Sequence, residues 1–218
     1  MYPPIKSKEF PNGKTMYELI VDPLIEVHDF IYTPFYYISD IKGATDKCIM
    51  RRMVYERLKM AESFLPEGYR LKIYDAWRPF EVQYSLYTDY RNTVAENNPT
   101  SSEEEIDEIT KLFVSKPLKD EFEGPVHATG GAIDLTIVNS DGKELDMGTE
   151  FDHFGKEANT DYYENTDTAV KENRRMLYHA MTKAGFTNLP TEWWHYDYGN
   201  KFHAFYTGEK ALYGCIFN

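Results

Sequence analysis

His127-Ala128-Thr129-Gly130-Gly131-Ala132-Ile133-Asp134 runs directly into Leu135-Thr136-Ile137-Val138, and the reading of this stretch decides the fold. Its second half has period two, with Asp134, Thr136 and Val138 on one face of a strand and Ile133, Leu135 and Ile137 on the other. The strand thus has an apolar side to bury and a polar side that carries a carboxylate. Fully extended, the seven-residue separation would hold His127 more than ~20 Å from Asp134. Gly130 and Gly131 give the backbone the freedom to turn the imidazole back toward the carboxylate.

Further along, Glu192-Trp193-Trp194-His195 adds a second imidazole and a spare carboxylate. Two imidazoles and one short carboxylate make up the protein ligands of a catalytic zinc, which leaves its remaining position to water and lowers the pKa of that water toward ~7. In this reading His127, Asp134 and His195 hold one zinc ion per chain. Glu192 is the general base that removes the water's proton and returns it to the leaving amine. Neither half decides the matter alone, because a His and an Asp seven apart occur by chance and Glu-x-x-His commonly marks a solvated corner. Residues three apart point to opposite faces of a flat strand, so Glu192 and His195 share a site only where the chain bends between them. Pro190, just upstream, makes such a bend plausible.

The flanking segments alternate between helical and extended patterns. Thr45 to Leu65 reads as an amphipathic helix, with Ile49, Met53, Leu58 and Met60 among charges, closed by Pro66 and Gly68. Tyr69 to Trp77 reads as a strand, Leu71 and Ile73 alternating with Arg70, Lys72 and Tyr74, and Pro79 opens the next helix. Arg78 therefore stands at a strand-to-helix junction. A guanidinium fixed there beside a metal can stabilise the oxyanion of a tetrahedral intermediate, an interaction of a kind worth roughly 3 to 4 kcal/mol of barrier. Taken alone, Arg78 is better explained by an ion pair with one of the 36 acidic residues. Ser102 and Glu105 form a capping box for a peripheral acidic helix running to about Val114, ended by Lys116-Pro117. Thr168 to Ala184 is a helix stopped by Gly185. Trp193 to Tyr198 is a strand, with two more short strands near Phe202 to Tyr206 and Ala211 to Phe217.

With 218 residues, 42% of them hydrophobic, and no repeat or Gly/Ser-rich linker, the chain suits one domain spanning residues 1–218. A net charge of -12 argues against nucleic-acid and anionic-membrane partners, which need a concentrated basic face, and leaves small cationic or zwitterionic ones. No apolar run approaches the ~20 residues of a membrane span. Met1 to Phe10 lacks the hydrophobic core of a signal peptide, so a cytoplasmic protein is expected. Cys48 and Cys215 are too few for a disulfide framework and read as inert thiols. His28, His179 and His203 have no partner at ligand spacing, and His153 is a pocket-rim residue beside Asp152.

Three motifs, in order, resemble those of the D-alanyl-D-alanine dipeptidases, the VanX-like branch of the zinc DD-peptidases related to the Hedgehog fold. Asp-x-x-Arg-Pro appears as Asp75-Ala76-Trp77-Arg78-Pro79. Ser-x-His-x-x-Gly-x-Ala-x-Asp appears as Pro125 to Asp134, with Pro125 in the place of the Ser, and Glu-x-Trp-His as Glu192 to His195. The resemblance runs from about residue 17 to the C terminus. It implies an α+β fold, a small antiparallel sheet with helices packed on one face and the zinc site on the open face. It also implies that His127, Asp134 and His195 bind zinc, that Glu192 is the base and that Arg78 stabilises the transition state.

Met147-Gly148-Thr149-Glu150-Phe151-Asp152 is similar to the family's Met-Gly-x-x-Phe-Asp loop, which implies that Asp152 binds the free ammonium of the substrate. Tyr32 resembles a family tyrosine near the same ammonium, although Pro34-Phe35-Tyr36-Tyr37 departs from the usual pattern. The implied activity is hydrolysis of D-Ala-D-Ala or a similar D,D-dipeptide, in removal or recycling of peptidoglycan precursors. Two alternatives are a zinc DD-carboxypeptidase trimming terminal D-Ala from such precursors and a non-catalytic zinc-stabilised binding domain. The first needs an open channel in place of a closed ammonium pocket at Asp152. The second has no use for Glu192.

Overall fold

The computed structural model describes residues 14–166 and 168–217; the segment Met1 to Phe10, read above for a leader, lies outside them. The strands are β1 (Leu24–Glu26), β2 (Ile31–Tyr32), β3 (Ile49–Arg51), β4 (Arg70–Asp75), β5 (Ala132–Val138), β6 (Thr187–Asn188) and β7 (His195–Asp197). The helices are α1 (Phe35–Ile38), α2 (Arg52–Glu62), α3 (Phe80–Asn97), α4 (Glu103–Lys111), α5 (Ala169–Lys183) and α6 (Lys201–Thr207). The main sheet has the order β2-β4-β5-β7-β6, and β1 pairs with β3 in a separate antiparallel ribbon. The main sheet is antiparallel except at one edge, where β2 runs parallel to β4.

The alternation read from the sequence sets which side of the sheet carries the apolar core. Ile133, Leu135 and Ile137 of β5 and Leu71 and Ile73 of β4 are wholly buried in one apolar cluster with Leu58 of α2 and Leu177 and Met181 of α5. Removing each such side chain from water contributes about 1.5–3 kcal/mol, so this face anchors the α+β architecture. The opposite face of β5 is buried as well, Asp134, Thr136 and Val138 included. Part of its cover is the loop after β5, which folds back so that Leu145 N–H donates to Ile137 C=O at 2.9 Å.

Several boundaries differ from the sequence reading. The helix expected from Thr45 begins only at Arg52, because Ile49–Arg51 pairs with Leu24–Glu26 and Met50 is fully buried. Pro79 caps α3 and does not occupy its first turn. At α4 the capping box is present in both directions, Glu105 N–H to Ser102 Oγ at 3.3 Å and Ser102 N–H to Glu105 Oε2 at 2.8 Å. The helix α4 then stops at Lys111, short of Val114. Residues 201–207 are helical where a strand was expected. Asn200 Oδ1 accepts from the N–H groups of Phe202 and His203, and Gly208 closes the helix at φ +79°. Of the last expected strand, only Ala211 forms a bridge, to Tyr17. Among the described residues no helix is long and apolar enough to cross a membrane.

Candidate active site

A β-bulge builds the floor of the site. Ile73 of β4 faces Leu135 of β5, but the next paired residues are Asp75 and Asp134, so two steps along β4 match one along β5. Without that extra residue Asp75 would continue the Leu71, Ile73 series onto the apolar face. The bulge turns it to the side of Asp134, re-aiming one side chain as bulges beside active sites do. On the other side of β5, Asp134 pairs directly with His195 and Ala132 with Asp197, which puts both β7 side chains on the same face.

His127 arrives from a short 3-10 turn, Val126–Thr129, ended by Gly130 at φ +72°. A side chain is excluded at the next position too: a Cβ on Gly131 would stand 2.5 Å from the Tyr198 carbonyl oxygen. The bend inferred from the glycines therefore exists and cannot be made by larger residues. The bend before His195 also exists. Glu192 N–H donates to Leu189 C=O at 2.9 Å and His195 N–H to Glu192 C=O at 3.3 Å, which brings Glu192 Oε2 to 3.8 Å from His195 Nδ1.

The nitrogen and oxygen atoms that His127, Asp134 and His195 offer lie within 4.8 Å of one another, and all three residues are buried. His127 Nδ1 donates to Ala76 C=O at 2.8 Å, leaving Nε2 as a lone pair. His195 Nε2 faces the buried Asp197 Oδ2 at 3.1 Å, leaving Nδ1 toward Asp134. The inward atoms are 3.2 Å apart between the two imidazoles, 3.3 Å from His127 Nε2 to Asp134 and 2.9 Å from His195 Nδ1 to Asp134. Two lone pairs and a carboxylate converging in this way repel each other unless a cation or a proton sits among them. Burial alone would lower the pKa of His195, but Asp197 and Asp134 at its two nitrogens raise it well above the ordinary imidazole value. Burial would raise Asp134, yet the two imidazoles hold it below the usual carboxylate range. The donor set fits a divalent zinc-like ion, with the outer nitrogens oriented by a carbonyl and a carboxylate.

Beside this set stand the other groups. The Arg78 guanidinium donates from Nε to Asp75 Oδ2 at 2.8 Å, from Nη1 to Gln83 Oε1 at 2.8 Å and from Nη2 to Tyr36 OH at 3.2 Å. Tyr36 OH in turn donates to Asp152 Oδ2 at 3.3 Å. Burial pushes the Asp152 carboxyl up to about 6, against the pull of Arg78, and pushes Glu192 up to about 7, against the pull of His195. One cleft is lined by Arg78, His127, Asp134, Asp152, Glu192 and His195 together, with apolar walls from Leu86, Phe113, Phe154, Trp194 and Phe202.

Six of the seven candidate site residues thus meet in one cleft, and Tyr32 does not. Its hydroxyl is directed to Lys47 C=O at 3.4 Å in a separate small cavity, and Tyr36, in α1, is the tyrosine beside Asp152. Tyr36 was hidden because it lies in the stretch that departs from the family pattern. Asp197 carried the one available signal, a carboxylate two residues beyond His195 and so on the same strand face. Gln83 carried none. His153 stands at the rim with an exposed imidazole, and Cys48 and Cys215 are free and buried.

Residues 38–209 match the Peptidase_M15 family, described as D-Ala-D-Ala dipeptidase. The chain belongs to this family. It is 26% identical over 193 residues to the D-alanyl-D-alanine dipeptidase of Synechocystis, covering 77% of each chain. It is 28% identical over 152 residues to that of Escherichia coli, covering 69% of this chain and 67% of the relative. The Enterococcus faecium enzyme of the same name is 30% identical over 145 residues, covering 64% and 67%. Family membership carries the α+β fold and peptidase class expected from the motifs. It spans every residue of the cleft constellation except Tyr36, which lies ahead of the matched range.

Proposed function

We propose that this protein is a zinc dipeptidase that hydrolyses D-Ala-D-Ala or a similar D,D-dipeptide, in removal or recycling of cell-wall precursors in the cytoplasm. The names of its relatives and the chemistry of the cleft support the reading together. The carrying observation is Glu192, a carboxylate 3.8 Å from the ligand-facing nitrogen of His195 that is not itself one of the three converging ligands. A purely structural ion has no use for such a group.

His127, Asp134 and His195 would hold one zinc ion per chain, which supplies Lewis acidity toward the peptide carbonyl and lowers the pKa of water. Glu192 takes the proton from the attacking water and delivers it to the departing amine, the two directions of transfer that a buried carboxyl beside the ligand set can serve. Arg78, pinned by Asp75, Gln83 and Tyr36, meets the negative charge that grows on the carbonyl oxygen. Asp152, with Tyr36 beside it, accepts the free ammonium of the dipeptide. An N-acylated peptide has no charge to offer there and would leave the carboxylate unpaired at a cost of about 1–3 kcal/mol or more, which favours the dipeptidase over the carboxypeptidase. The test is turnover of D-Ala-D-Ala by protein loaded with one equivalent of zinc, its loss on chelation and its return on re-addition. Turnover unaffected by chelation would overturn the zinc assignment.

A further inference from the structure

We propose that Gln83 is a positioning residue for the reaction: it sets the plane of the Arg78 guanidinium and ties that plane to the cleft wall at Ser115. The inference rests on the reading of Arg78 as the group that meets the carbonyl oxygen. Gln83 lies in the first turns of α3, is 2% exposed, and has both ends of its amide engaged. Its Oε1 accepts from Arg78 Nη1 at 2.8 Å, and its Nε2 donates to the Ser115 carbonyl at 2.8 Å. Ser115 lines the same cleft as Arg78.

A guanidinium presents five N–H groups in one rigid plane. Here Nε–H goes to Asp75, the two Nη2 hydrogens face Tyr36 OH and, at 3.5 Å, Asp134, and one Nη1 hydrogen goes to Gln83. One Nη1–H remains to meet an oxyanion. Because the plane is rigid, the bond to Gln83, together with those at Nε and Nη2, fixes where that last hydrogen points. An amide is suited to this because it is neutral. Asp75, Asp134 and Asp152 already oppose the charge of Arg78, and a further carboxylate in direct contact would cancel what the oxyanion needs. The other end of the same amide holds the Ser115 backbone, so the wall of the cleft and the cation keep one spacing.

A merely structural Gln83 would satisfy the Ser115 carbonyl and nothing more, and a double-mutant cycle separates the two roles. Gln83→Met, close in volume, is expected to lower kcat about 10- to 100-fold on D-Ala-D-Ala, with KM within about threefold and one zinc retained. In an Arg78→Ala background the same substitution is expected to change kcat by less than about twofold. Equal losses in both backgrounds, or an unchanged kcat in the first, would overturn the role. An Arg78→Ala enzyme with undiminished kcat would instead remove the reading of Arg78, and the role of Gln83 with it. Nitrogen-15 NMR of metal-free protein gives a readout independent of turnover. Slow rotation about the Arg78 Cζ–Nη1 bond is expected in the parent and fast rotation in Gln83→Met, and fast rotation in both would overturn the proposal. Should Gln83→Met fail to fold, Gln83→Glu keeps an acceptor for Nη1 and adds a further carboxylate. It is expected to keep rotation slow while lowering kcat, and parent-like kcat would contradict the argument.

Discussion

His195 Nε2 faces Asp197 Oδ2 at 3.1 Å, and Asp197 is wholly buried, its other oxygen accepting from Asn200 Nδ2 at 2.5 Å. This carboxylate fixes which nitrogen of His195 faces Asp134 and His127. Asp197→Asn is expected to weaken zinc binding about 10- to 100-fold, measured by competition with a chelator of known affinity. Parent-like affinity would show that the orientation of His195 is set elsewhere.

Glu192 makes the opposite prediction. It is near the three proposed ligands and is not one of them, so Glu192→Ala should keep one tightly held zinc and lose at least about 100-fold in kcat. Loss of zinc in this variant would make Glu192 a ligand, and unchanged turnover would remove it from the mechanism.

As the proposed acceptor of the ammonium, Asp152 is expected to give substrate binding a pH dependence. Its carboxyl is raised by burial to about 6, so it is neutral below that pH and negative above it. Because the ammonium needs the negative form, KM for D-Ala-D-Ala is expected to rise as pH falls through about 6. Asp152→Asn should have a raised KM at every pH and lack this step. A KM independent of pH between 5 and 7 in the parent would place the ammonium away from Asp152.

Gly131 links local backbone to the ligand set. A methyl there meets the Tyr198 carbonyl oxygen at 2.5 Å, and Tyr198 N–H donates to Gly131 C=O at 2.8 Å in the same place. Gly131→Ala must push the end of β7 away from β5 and is expected to cost about 1–3 kcal/mol in chemical denaturation, with weaker zinc binding. Parent-like stability and affinity would show that the two strands yield without moving His195.

What the sequence revealed follows a physical division. The convergence of His127, Asp134 and His195 was legible because metal chemistry admits few donor types, and because the glycines and Pro190 announced the two bends that bring the three side chains together. The buried face of β5 was legible from its period of two. Ile49–Arg51 was misread because its β1 partner is more than twenty residues away, and no local pattern separates three apolar-basic residues of a strand from the start of a helix. The helix at 201–207 was misread on its aromatic content, although Asn200 and Gly208 were its start and stop signals. The turn of Asp75 toward the site depends on a bulge, which the strand pattern around Ile73 does not show. Tyr36 displaced Tyr32 because the position of a tyrosine relative to Asp152 is a tertiary fact.

The most direct test of the account measures alanine release from D-Ala-D-Ala, L-Ala-L-Ala and an N-acylated tripeptide ending in D-Ala-D-Ala, with zinc-loaded protein and Glu192→Ala as the control. We expect release from D-Ala-D-Ala alone, lost in the control. Release from the acylated peptide at a comparable rate would contradict the assignment of Asp152 to the free ammonium and make the enzyme a carboxypeptidase.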